Sequence, residues 1–199
     1  EIDENAALLK ALVTRRRQLV ELKTAEKNHN EHSVGKVIKN SVKIVLDCLE
    51  KQIELIDKQI AEHIDKTPEL QQKSNLLTTI PCIGDVTARA MVAIMPELGQ
   101  CNRKEIARLC GVAPINRDSG QKNGKRFTGN GRIDVRTVLF MPVLVAIRYN
   151  PVIKQFYTRL VEVEHKPKMV AIIATMRKLI CIMNTMLKNN QPWNPALMA

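Results

Sequence analysis

The sequence predicts an all-α protein: a coiled-coil helical hairpin, then a small helical domain containing a helix-hairpin-helix motif and a basic, glycine-rich loop. Three observations lead there. Aromatic residues make up only 3% of the chain, so the core must be built from Leu, Ile, Val, Met and Ala, which suit helices well. Apolar residues recur in steps of three and four over long stretches. Turn signals are few. With 26% charged residues and an ordinary apolar content, the composition does not favour disorder.

The elements follow in order. Residues 4–28 read as a helix, with Leu8, Leu9, Leu12, Leu19 and Leu22 broadly on one side. The polar stretch from Asn28 to Ser33 breaks it. A second helix, from about Val34 to Asp65, carries Leu46, Leu49, Ile53, Ile56 and Ile60 at the heptad spacing of a coiled-coil seam. Two such helices joined by a short turn make an antiparallel hairpin, or a surface for a second copy of the chain. Oligomerisation, as a dimer or tetramer, is the expected role of residues 1–66. Thr67-Pro68 ends the second helix, because proline lacks a backbone donor and restrains its predecessor.

From residue 67 to 199 the pattern is one of shorter helices. Leu70, Leu76, Leu77 and Ile80 lead into Pro81-Cys82-Ile83-Gly84, and a helix with Val86, Ala90 and Ile94 on one face follows. Asn102-x-x-Glu105 fits a capping box that opens the next helix, which Gly111 closes. Residues 112–132 hold glycines and basic side chains with almost no apolar period, and read as a loop or small hairpin. Helices resume at Ile133–Tyr149, with Pro142 expected to kink the first. Asn150 caps the next helix with Pro151 in its first turn, and the last runs from Pro167 to Lys188.

Charge divides the chain more sharply than its net of +11 suggests. Residues 1–70 hold 12 Lys and Arg against 13 Asp and Glu, whereas residues 71–199 hold 19 against 7. The basic excess lies wholly in the second part, clusters within Arg117–Arg136, and points to a polyanionic partner, namely DNA. The five cysteines include no Cys-x-x-Cys pair, and read as reduced, mostly buried thiols of a cytosolic protein. No apolar run looks long and charge-free enough to span a bilayer, and no signal peptide is visible, so no membrane partner is expected. Residue 1 is Glu, which suggests a start inside a longer gene product.

Two motifs bear on chemistry. Ile80-Pro-Cys-Ile-Gly-Asp-Val-Thr87 is similar to a helix-hairpin-helix turn. There Gly84 is expected to take a positive φ, so that the following helix offers free N–H groups and its positive end to a phosphate. Pro81, Ile83, Gly84 and Thr87 are the candidate contacts, while a plain packing turn is the alternative. The second motif is Arg117-Asp-Ser-Gly120, followed by Gly124-Lys-Arg126 and Gly129-Asn-Gly-Arg132. A serine attacks phosphate only when its proton is removed and cations hold the phosphate. Ser119 is the candidate nucleophile, and Arg117, Gly120, Lys122, Lys125, Arg126, Arg132 and Arg136 are the candidate DNA-binding set. By itself Asp-Ser-Gly is more commonly a turn. Asp85, Glu97, Glu105, Asp118 and Asp134 show no spacing suited to a two-metal site, and His29 and His32 lack partner ligands, so no metal site is expected in this segment.

Taken together, several pieces resemble a known family. They are Ile80-Pro-Cys-Ile-Gly, Leu109-Cys-Gly-Val-Ala-Pro114, Arg117-Asp-Ser-Gly120, Gly124-Lys-Arg126, Gly131-Arg132, Arg136, Asn150-Pro151, Phe156-Tyr157, Arg159-Leu160 and Met176-Arg-Lys-Leu179. In order and spacing they look like the C-terminal domain of insertion-sequence-110/1111 family transposases, which include Piv-type DNA invertases. The closest likeness is to the 1111 branch, over roughly Leu76 to Trp193.

The resemblance implies an N-terminal RuvC-like domain, absent here, whose four acidic residues bind Mg2+ or a similar divalent metal. It implies that the serine falling on Ser119 becomes covalently linked to DNA. Oligomers in which one subunit's acidic domain meets another's serine domain are implied too. So is an element-encoded guide RNA in some members. The resemblance also implies the bacterial cytoplasm, at the nucleoid, as the setting. Cys82 stands where the family has a glycine, and Glu164-His165 stands where another is expected. Two other classes compete: a non-catalytic DNA- or junction-binding module with coiled-coil oligomerisation, and a purely structural oligomerisation fragment.

Overall fold

The computed structural model describes residues 4–31, 35–116, 124 and 126–198. The chain divides into two compact units, Glu1–Gln71 and Gln72–Ala199.

The first unit is a helical hairpin of α1 (Glu4–Glu31) and α2 (Lys36–Asp65). On α2 the heptad residues Leu46, Leu49, Ile53 and Ile56 are half-buried, and Ile60 and Ile64 are buried. The seam is therefore filled by α1 within the chain. Two ion pairs set its register. Arg16 binds both carboxylate oxygens of Asp57, at 2.5 and 3.1 Å. Seven residues further along α1, Lys23 meets Glu50, seven residues back along α2, at 2.7 Å. Matched steps of one heptad in opposite directions are the signature of an antiparallel pair.

The leucine face expected on α1 needs correction. Leu9 and Leu19 are buried, but Leu8 and Leu22 are 52% and 51% exposed, and Val13 is buried instead. Adjacent positions lie about 100° apart on a helix of 3.6 residues per turn, so Leu8 and Leu9 cannot share one narrow seam.

The second unit takes in the end of α3 (Pro68–Thr78) and then α4 (Asp85–Ile94) and α5 (Arg103–Leu109). The predicted capping box is formed. Asn102 Oδ1 accepts from the N–H groups of Lys104 and Glu105, and Glu105 Oε2 accepts from the N–H of Asn102. The loop-or-hairpin segment holds a two-residue ribbon, β1 (Pro114–Ile115) antiparallel to β2 (Phe127–Thr128). Next, α6 (Ile133–Tyr149) continues across Pro142 as one helix, although that residue offers no N–H to the Val138 carbonyl. At Asn150 the chain turns by 92° into α7 (Pro151–Thr158). The cap is as predicted: Asn150 is buried and its side chain accepts from Ile153 N–H, with Pro151 beginning the helix. A π-helical turn, Arg159–Val163, extends α7.

The core of this unit gathers around α8 (Lys168–Asn189), which packs on α5, α6 and α7. Leu179, Ile180 and Met183 are fully buried, and truncating one such side chain to Ala costs about 2–5 kcal/mol. Within α8, Asn184 is buried with both amide groups used: Oδ1 accepts from Gly99 N–H at 2.9 Å and Nδ2 donates to the Cys101 carbonyl at 2.8 Å. The tail ends in the short α9 (Pro195–Met198) and is tied back where Trp193 N–H donates to Thr79 Oγ1.

Contrary to the sequence expectation, α8 is long and apolar enough to cross a bilayer by length and composition. A core helix passes the same test, and just over half of that span is buried within the protein. All five cysteines are free, but Cys110 alone is fully buried. Cys48 is exposed and the other three are half-buried, fewer buried thiols than expected.

Candidate nucleic-acid interface

Between α3 and α4 the chain makes one tight turn. Ile83 N–H donates to the Ile80 carbonyl at 3.0 Å, Pro81 occupies the second corner, and Cys82 takes φ 82°. A proline followed by a left-handed residue is the pattern of a type II turn, which normally places glycine at the third position. The positive φ was expected at Gly84. It falls on Cys82 instead, because the turn needs its left-handed corner directly after the proline. Gly84 is extended, at φ −89° and ψ 170°.

Gly84 precedes α4 without any side-chain cap, and a Cβ placed on it would meet nothing within 4 Å. The first turn of α4 therefore presents open N–H groups. Pro81 and Gly84 are exposed and Thr87 is half-buried beside them. Ile83 is only 4% exposed, so its side chain supports the turn from the core and does not face a ligand. Val86, placed on one face with Ala90 and Ile94, is 45% exposed while those two are buried. Ala88, Met91 and Val92 complete the buried face.

Arg117, Asp118, Ser119, Gly120, Lys122 and Lys125 lie outside the described residues. What the structure gives is the frame on either side of them. Pro114 pairs with Thr128 and Ile115 with Phe127, so the two ends of the basic segment are drawn together. Arg126 is exposed at the start of β2.

The two arginines that follow are used differently from the expectation. Arg132 was expected to be a free phosphate ligand, but its guanidinium binds Glu97 through two contacts of 2.8 and 2.5 Å and donates to the Ile94 carbonyl at 2.9 Å. The hydrogen bond to Glu97 pushes its pKa up further. Arg132 is thus a clamp between the end of α4 and the start of α6, with its charge neutralised at home. Half-buried Arg136 donates from Nη1 to the Cys110 carbonyl at 3.2 Å.

This frame depends on two glycines meeting back to back. A Cβ on Gly131 would lie 2.1 Å from the Gly111 nitrogen, and one on Gly111 would lie 2.1 Å from Arg136 Nη1. Gly111 also holds φ 67°. The contact lets Arg132 N–H reach the Leu109 carbonyl at 2.8 Å. Beneath it, burial above all pushes the Cys110 thiol up to about 12. An open cleft of about 470 Å³ results, lined by Arg108, Leu109, Ala113, Ile115, Asn130 and Arg132 among others. Arg108 and Glu97 were missed as site residues by sequence reasoning, since neither stands in a local motif. Only Gly111 had a signal, as a helix terminator.

Residues 74–158, which span α4 to α7 and both edges of the basic segment, match the model of the Transposase IS116/IS110/IS902 family. Over those residues the chain is similar to the domains of this transposase family. Two pilin gene-inverting proteins, of Moraxella bovis and Moraxella lacunata, are similar to the chain at 32% and 30% identity over 192 residues each. Each alignment covers 94% of this chain, and the chain spans 58% of the length of each of these curated relatives.

Proposed function

We propose that the chain is the C-terminal part of a DNA transposase or invertase, which holds the DNA backbone and supplies Ser119 as nucleophile for strand cleavage and exchange. The observation that carries the reading is the family match over residues 74–158, a range that includes the whole basic segment. Support also comes from the antiparallel ribbon that joins the ends of that segment beside the cleft. The uncapped first turn of α4 is a further candidate for a sequence-independent phosphate contact.

In the proposed step, Ser119 Oγ bonds to a backbone phosphorus as the bond to one deoxyribose oxygen breaks. The serine loses its proton and the released sugar oxygen gains one. Reversal of the step on a new strand religates the DNA. Among the described residues no group of His, Cys, Asp or Glu fits a divalent metal. On this reading the metal belongs to the acidic domain that the family resemblance implies, outside this chain. The coiled-coil hairpin holds subunits together, and exposed Leu8, Leu22, Val37, Ile38 and Ile44 on α1 and α2 suit a second copy. An element-encoded RNA is a further partner on this reading, and the cytoplasmic nucleoid its setting.

The test is Ser119→Ala in the full-length protein, incubated with its DNA and denatured to reveal covalent adducts. The adduct should vanish while DNA binding stays nearly intact. An unchanged adduct removes Ser119 from the mechanism. If the parent protein forms no adduct but binds DNA with a steep salt dependence, the non-catalytic binding module is the correct reading.

A further inference from the structure

A second concentration of positive charge lies on the π-helical turn and α8, neither of which borders the basic segment's ribbon in sequence. Its centre is the half-buried ring of Phe156. The guanidinium carbon of Arg159 stands 5.3 Å from the ring centroid, and Lys178 Nζ stands 4.8 Å from it. One aromatic face system thus holds two cations from separate elements, each within cation–π range. Arg159 opens the π-helical turn, a local widening that recurs at functional sites.

Among the described residues little neutralises this group. Arg159 Nε approaches Glu164 Oε1 at 3.5 Å, a pair exposed on both sides. Arg103, Arg177 and Lys178 make no ion pair among the described residues. Burial, and then the fields of Arg159 and Arg103, lower the pKa of Lys178 from its ordinary value. Like charges held this close raise the energy of the free protein, and an anion bound among them relieves it.

We propose that Phe156, Arg159 and Lys178 form a second contact for the phosphate backbone of duplex DNA. The proposal rests on the DNA-rearranging reading and adds a site which that reading does not contain. A planar guanidinium matches a phosphate's oxygens, and the ring fixes both cations in advance, so less side-chain freedom is lost on binding. Such a contact positions a duplex without reading its sequence.

The test titrates the full 199-residue chain with labelled duplex DNA over a series of salt concentrations. Arg159→Gln/Lys178→Gln removes two phosphate contacts, so the log–log salt slope should fall by about 2. The charge-keeping variant Arg159→Lys/Lys178→Arg should hold the parent's slope, and unchanged thermal melting of both variants shows that folding is intact. A parent-like slope for the double glutamine variant overturns the proposal while leaving the DNA-binding reading in place. Loss confined to an RNA hairpin, with duplex binding unaltered, also overturns it. A parent chain with no salt-dependent duplex binding sinks both readings together.

Discussion

Arg132 and Glu97, 35 positions apart in sequence, close on one another through two hydrogen bonds, so the arginine's charge is paired within the protein. Arg132→Gln should destabilise the protein by about 1–2 kcal/mol, since it removes two charge-assisted hydrogen bonds from a half-buried carboxylate. Urea melts of Arg132→Gln, Glu97→Gln and the double variant give the coupling. A double-mutant cycle near zero would show that the pair contributes nothing. By contrast Arg126 is exposed, and Arg126→Gln should lower the salt slope of DNA binding by about 1 with no change in melting.

The glycine pair Gly111 and Gly131 makes a sharper prediction about backbone packing. A methyl group at 131 meets the Gly111 backbone at 2.1 Å, where nothing flexible can yield. Gly131→Ala should cost several kcal/mol, at or beyond the upper range of about 1–3 kcal/mol for overpacked sites. Gly84→Ala, with open space and an extended backbone, should cost less than about 1 kcal/mol. Equal losses for the two variants would contradict this geometry.

Cys82 and His165 carry φ values of 82° and 49°, a left-handed conformation that disfavours side chains. Cys82 stands where the family resemblance expects glycine, and His165 belongs to the Glu164-His165 pair where another is expected. Cys82→Gly and His165→Gly should each stabilise the protein, by roughly 0.5–1.5 kcal/mol, because the relief of strain exceeds the added freedom of the unfolded chain. Thermal melts decide it, and a lowered melting temperature for both would refute the strain argument.

Cys110 links pH to stability. Its folded-state pKa is pushed up to about 12 from an ordinary 9.0, chiefly by burial. Between those values the unfolded chain releases a proton that the folded one keeps. Stability should therefore fall as pH rises from about 9, by up to about 1.4 kcal/mol per pH unit from this group. Comparison with Cys110→Ala isolates the effect, since that variant should lack this part of the slope. Identical slopes would show that the thiol titrates normally.

The sequence by itself determined whatever depends on neighbours along the chain. Heptad spacing placed the α2 seam, Asn102 and Glu105 wrote their own capping box, and Asn150-Pro151 marked a helix start. Each of these acts within one or two helical turns, so a short window holds all the physics. The ordered motifs from Ile80 to Leu179 also carried the family resemblance, and the family model matches residues 74–158.

Tertiary structure alone decided how charges and glycines are spent. Arg132 and Arg126 look alike in a basic stretch, and only the fold brings Glu97 to one and leaves the other in solvent. Gly131 reads as loop flexibility, yet its role is to let Gly111 approach from another element. Phe156 and Arg159 are near neighbours along one helical run, but only the fold brings Lys178 of α8 to the same ring. These pairings form because packing the apolar faces of α5 to α8 fixes distances between residues far apart in the chain, and no period or spacing encodes those distances.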